Sequence, residues 1–174
     1  MKWLFLLFPA TALLFAGCES AKSESGAVPQ SAASMLGDLP LGIIGESEAV
    51  YLEGFAVPFE ARVDTGAATS SIDARNIRAF ERDGKKWVAF QIVSRGEKLS
   101  RSYELPVVRV ASIKRHGAGS MQRYTVLLTF RIGHLTLERE FTLADRSHFE
   151  YPVLLGRNVI NGLAAVDPSR RNVL

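Results

Sequence analysis

Short runs rich in β-branched and aromatic residues, separated by turn residues, fill most of the chain. Ala49-Val50-Tyr51-Leu52, Phe55 to Val63, Lys86 to Val93, Tyr103 to Val110, Arg123 to Ile132, Leu135 to Leu143 and Val153-Leu154-Leu155 read as strands. Glu53-Gly54, Asp83-Gly84, Arg95-Gly96, Gly117-Ala118-Gly119 and Gly133-His134 break them. Many short strands with turns at regular intervals predict an all-β barrel or sandwich. A single helix is expected, over Arg157 to Leu163, stopped near Gly162. No internal repeat is visible.

The two ends of the chain differ in character. Lys2 precedes an almost unbroken apolar run from Trp3 to Ala16, then Gly17-Cys18. A run this short, bounded by small residues, reads as a signal peptide over 1–17 rather than a spanning helix. Cys18 is the only cysteine, so no intramolecular disulfide can form. Phe15-Ala16-Gly17-Cys18 resembles a bacterial lipobox, with Phe15 where Leu is usual. That resemblance implies a diacylated Cys18 and, with Glu19 rather than Asp next to it, an outer-membrane lipoprotein facing the periplasm. The alternative is a plain secretory signal followed by a buried thiol. Residues 18–38 are rich in Ser, Ala, Gly and charge and read as a flexible tether; 39–174 suits one domain.

Charge narrows the partners. Loss of Lys2 with the signal leaves 20 of the 21 Lys and Arg against 18 Asp and Glu, a net +2 in place of +3. That balance, with no basic stripe interleaved with stacking aromatics, does not point to nucleic acid.

The chemistry concentrates in two places. Val63-Asp64-Thr65-Gly66-Ala67 sets one carboxylate at a bend between strand segments. Before it, Ala56 to Val63 alternates imperfectly, as a partly buried strand does; after it, Ala68 to Ala74 is small and polar and then re-enters a strand or short turn. Downstream, Pro152-Val153-Leu154-Leu155-Gly156-Arg157-Asn158 can form the wall behind that bend. Turn chemistry alone also explains an Asp-Thr-Gly tripeptide, with Asp64 capping the turn and Thr65 padding it.

Taken with Leu143-Ala144-Asp145-Arg146 and Val166-Asp167-Pro168-Ser169, these motifs resemble the retropepsin-like aspartic proteases from about Ile43 onward. Within that family the chain is most similar to a bacterial branch labelled ATP-dependent zinc proteases and associated with ATP-grasp ligases. The resemblance implies a closed retropepsin-like β-barrel with one short C-terminal helix. It implies an Asp64 dyad: Asp-Thr-Gly occurs once, so two carboxylates meet only in a homodimer. Two aspartates about 3 Å apart share one proton, one activating water and the other polarising the scissile carbonyl of a peptide or envelope-protein substrate. Thr65 and Gly66 are expected to lock the turn, Ala67 and Ala68 to line the substrate path, and Gly156 and Arg157 to support it.

The chain also departs from the retroviral pattern. Ala68 stands where an acidic residue usually pairs with the Gly-Arg arginine, which leaves Asp73, Asp145 or backbone carbonyls for Arg157. The substrate-clamping flap is expected in 112–120, where Gly117 and Gly119 permit a hairpin tip and Arg115 offers a cation; a solvated loop is the alternative. No cofactor is expected. His116, His134 and His148 fall in separate loops with no His-Glu-x-x-His helix, and no phosphate-binding Gly-x-x-x-x-Gly-Lys sequence is present. Any nucleotide enters through the partner ligase. A non-catalytic peptide- or protein-binding module of the same fold is the competing reading.

Overall fold

The computed structural model describes residues 37–96, 98–115 and 118–174. The expected signal peptide, the lipidation site Cys18 and all of the tether but Gly37 and Asp38 lie outside the described residues, as do His116 and Gly117 of the expected flap.

Among the described residues, eleven strands and one helix follow in order: β1 (Gly42–Ile44), β2 (Ser47–Leu52), β3 (Phe59–Val63), β4 (Ser70–Arg82), β5 (Lys85–Ser94), β6 (Leu99–Pro106), β7 (Arg109–Arg115), β8 (Ala118–Ile132), β9 (Leu135–Ala144), β10 (Val153–Leu155), α1 (Arg157–Ile160) and β11 (Ala164–Val166). Six of the strands close on themselves. β10 pairs in parallel with β3, β3 antiparallel with β2, β2 with β8, β8 with β9, β9 in parallel with β4, and β4 antiparallel with β10 again. The expected closed barrel with one short helix is the observed architecture. A ring leaves no free edge among its members.

Alternation explains which side faces in. On β3, Phe59, Ala61 and Val63 are buried while Glu60 and Arg62 point out. On β8, Val126, Leu128, Phe130 and Ile132 fill the interior, and Phe130 meets Phe141 of β9 edge to face at 5.3 Å. Each such fully buried side chain stabilises the fold by about 1.5–3 kcal/mol.

Outside the ring, the second half of β4 leaves the barrel and forms a wing with β5 and β6. The departure is marked by a register shift between Arg75 and Arg78, where Asn76 takes φ 52°. β7 pairs with β8, with Arg115 opposite Ala118, and β1 pairs in parallel with β11.

Several element boundaries differ from the sequence expectation. The strand predicted from Phe55 begins at Phe59, because Gly54 at φ 87° and Pro58 hold 53–58 in turns. The single strand predicted over Tyr103 to Val110 is two, since Pro106 has no N–H to donate and the chain then crosses to β8. The helix ends at Ile160, three residues short of expectation.

Candidate active site

Asp64 sits where β3 ends. Its amide donates to the Leu155 carbonyl of β10 at 2.9 Å, continuing the parallel ladder one residue past Val63. The chain then turns sharply, and Asp64 Oδ1 accepts the amides of Gly66 (2.9 Å) and Ala67 (3.1 Å). This Asx arrangement fixes the carboxylate on its own turn. Asp64 is half-buried, and Oδ2 has no hydrogen-bond partner among the described residues.

The downstream motif packs against that turn. Arg157 Nη1 donates to the carbonyls of Thr65 (3.0 Å) and Gly66 (2.7 Å), and its amide to Ala67 O at 2.8 Å. Asn158 N reaches Ala68 O. A side chain at Gly156 has no room: a Cβ there would stand 2.6 Å from the Thr69 carbonyl carbon and 2.9 Å from Ala67 O. Asp64, Thr65, Gly66, Ala67, Ala68, Gly156 and Arg157 therefore form one cluster. Arg115 and Gly119 belong to a separate element, the β7–β8 hairpin.

Neither Asp73 nor Asp145 takes the place of the missing carboxylate beside Arg157. Asp73, buried, accepts the Arg146 amide at 2.7 Å and pairs with Arg75 and Arg95. Asp145 pairs with Arg75 at 3.0 Å and caps Ser147. The backbone carbonyls of the turn are what Arg157 holds.

Three residues quoted within the sequence motifs but given no role there, Ser70, Asn158 and Arg146, take part in this geometry. Ser70 Oγ, fully buried, accepts the Gly156 amide (3.0 Å) and donates to Asn158 Oδ1 (2.8 Å), which also takes the Ser70 amide. Asn158 Nδ2 closes the knot on Glu140 O of β9. Arg146 is half-buried, bonded to Ser71 Oγ and Tyr151 O and stacked on Phe149. Burial pulls its pKa below the usual guanidinium range; Asp73 opposes this, Arg95 and Arg123 reinforce it, and the Asp64 carboxylate also opposes it. Arg123, on β8, keeps a buried Nε with no hydrogen-bond partner among the described residues.

Two cavities meet at Arg62. One, of about 430 Å³, is lined by Glu46, Arg62, Val63, Asp64, Thr65, Val166 and Pro168; the other, of about 350 Å³, by Arg62, Arg146, Phe149, Glu150, Tyr151 and Leu154. A larger hollow of about 640 Å³ lies on the wing around Asn76, Gln91 and Ser102, away from Asp64. Among the described residues no three His, Cys, Asp or Glu side chains gather to hold a metal ion.

The chain is 38% identical over 130 residues to a probable alpha-L-glutamate ligase of Shewanella pealeana and 33% identical over 129 residues to one of Parasynechococcus marenigrum. Those matches cover 73% and 72% of this chain but 28% of each ligase, so the chain spans little more than a quarter of these relatives. A crystal structure of a Legionella pneumophila protein of unknown function superposes with a TM-score of 0.64 at 30% identity, covering 75% of this chain and 96% of that one. Residues 43–174 match the model of the RimB-like family, described as retropepsin-like aspartic endopeptidase RimB, and the chain belongs to that family.

Proposed function

We propose that this chain is an aspartic endopeptidase whose two catalytic carboxylates are Asp64 from each of two copies. The observation that carries this reading is the fixation of Asp64 by the Gly66 and Ala67 amides, beside a cavity, with Oδ2 left over for chemistry. Of two such carboxylates sharing a proton, the ionised one takes a proton from water and the protonated one polarises the peptide carbonyl. Water oxygen bonds to the carbonyl carbon, and the amine leaves with a proton from the dyad. Titration belongs to the pair rather than to either residue.

Peptides carrying carboxylates are the proposed substrates. The relatives are named for glutamate ligation, and Arg146, lining the cavity that shares Arg62 with the one beside Asp64, supplies positive charge next to the site. Cys18 is proposed to carry an envelope lipid anchor. An anchored copy would share with an ATP-grasp ligase its glutamyl products rather than its nucleotide. Cys18→Ser should then shift the protein from the membrane to the soluble fraction; unchanged membrane association would sink the anchor.

A second reading has its own support. The Asp64 Oδ1 bonds form an Asx turn that requires no catalysis, and Arg157, exposed, is engaged by carbonyls. On that reading the fold binds a peptide without cutting it. Fluorogenic glutamate-rich and neutral peptides, incubated with wild type and Asp64→Asn from acid to neutral pH, separate the two. Cleavage by wild type alone, strongest in acid, supports the protease. Binding without cleavage by both supports the module.

A further inference from the structure

The Asp64 turn does not enclose its own cavity. Val166 and Pro168 supply another part of its lining, and both precede a segment, 169–174, that folds back onto the start of β2. Glu46 joins that segment to the turn. Its amide donates to Arg170 O at 2.8 Å and its carbonyl accepts Val63 N at 2.8 Å, a backbone path from residue 170 to the neighbour of Asp64. The Glu46 side chain repeats the link, with Oε2 on Arg62 Nη1 (3.1 Å) and Oε1 on Arg171 Nε (2.5 Å). Gly45 makes the approach possible, since a Cβ there would stand 2.5 Å from Arg170 O.

Beside this junction lies Glu48, a carboxylate with no exposed surface. Its Oε1 accepts Gly45 N (2.6 Å) and Val173 N (3.1 Å), and its Oε2 accepts Val173 N (3.0 Å) and Leu174 N (3.2 Å). Asn172 N adds a bond to Ser47 O at 2.8 Å. A buried carboxylate is strongly unfavourable unless donors replace its water. The donors here come from the Gly45 corner and from residues 173 and 174, so the carboxylate is solvated by the two pieces of backbone it joins.

We infer that Glu48 is a positioning residue for the Asp64 site: it latches 170–174 onto the Gly45-Glu46 corner, and through Glu46 that latch sets the shape of the cavity beside Asp64. The structural part of this inference stands without the protease reading; only its activity arm rests on it.

Amide hydrogen exchange tests it in three variants: Glu48→Gln, a chain ending at Asn172, and Arg171→Ala, whose exposed side chain can be removed without threatening the fold. Gln keeps one acceptor oxygen but turns an NH₂ toward backbone donors. Exchange at Glu46 and Val63 should rise about tenfold or more in Glu48→Gln and in the chain ending at Asn172, and clearly less in Arg171→Ala, which leaves the Glu48 bonds in place, with Val126 and Leu128 unchanged in all three. Peptide kcat/KM should fall by a similar factor, chiefly through KM. Wild-type exchange at Glu46 and Val63 would overturn the inference, as would acceleration shared equally by Val126 and Leu128, which marks general loss of stability. Should Glu48→Gln not fold, the chain ending at Asn172, which removes the Val173 and Leu174 donors, decides by the same criterion. Should wild type cleave no peptide, the exchange result decides alone, and the missing cleavage counts against the protease reading instead.

Discussion

Asp64 has two separable jobs at the residue scale, and substitution distinguishes them. Asn retains an Oδ1 acceptor, so Asp64→Asn should hold Gly66 and Ala67 and shift stability by under about 0.5 kcal/mol, whereas Asp64→Ala loses both bonds and should cost about 1–2 kcal/mol. Chemical denaturation of the two variants checks this; equal losses would show that the Asx bonds contribute nothing. Gly156→Ala pushes a methyl into the backbone of Thr69 and Ala67 and should cost about 3 kcal/mol or more. Gly162→Ala is the control: φ is 73° but nothing lies within 4 Å, so about 1 kcal/mol of backbone strain is expected. Thermal midpoints in the reverse order would contradict the packing argument. Asp64 to Ala68 and Gly156-Arg157 are visible in the sequence because each is a contiguous motif. Ser70 and Asn158 are not, since small polar residues become a hub only when folding brings positions 88 apart into contact. Arg146 is part of a quoted motif, yet its bonds to Ser71 and Asp73 depend on long-range packing.

Elements with plain apolar or aromatic runs, such as β5, β8 and β9, were legible as strands for the same local reason. β4 was not. Its sequence, Ser70 to Arg82, is polar and bulged, and it is a strand because β9, β10 and β5 pair with it in turn. β1 and β11 are three residues each and define one another. The loops after β9 and β11 carry matched Asp-x-Ser turns, in which Asp145 caps Ser147 and Asp167 caps Ser169. In both, the hydroxyl bond first and the amide bond next lower the carboxylate pKa below its ordinary 3.8. A carboxylate depressed in the folded state stabilises above its unfolded value, and that contribution disappears as pH falls through the folded one. The Ser147→Ala, Ser169→Ala double variant should therefore have a lower urea midpoint than wild type at neutral pH, and the gap should close in strong acid. A gap independent of pH would assign the loss to something other than these carboxylates.

For the whole molecule, the closed barrel explains why so short a turn can be held so firmly: β3 and β10 on one side and β4 on the other belong to one continuous ring. One chain, however, brings one Asp-Thr-Gly turn. The proposed chemistry therefore depends on association, and activity per chain should rise with protein concentration until dimers saturate. Subunit mixing tests this most directly. A fixed amount of wild type is titrated with excess Asp64→Asn chains, allowed to exchange partners, and assayed on a fluorogenic peptide. If each active site takes one Asp64 from each copy, mixed dimers are dead and activity should fall toward zero as the variant comes to dominate. Activity that stays constant while the two chains demonstrably associate would contradict a shared dyad.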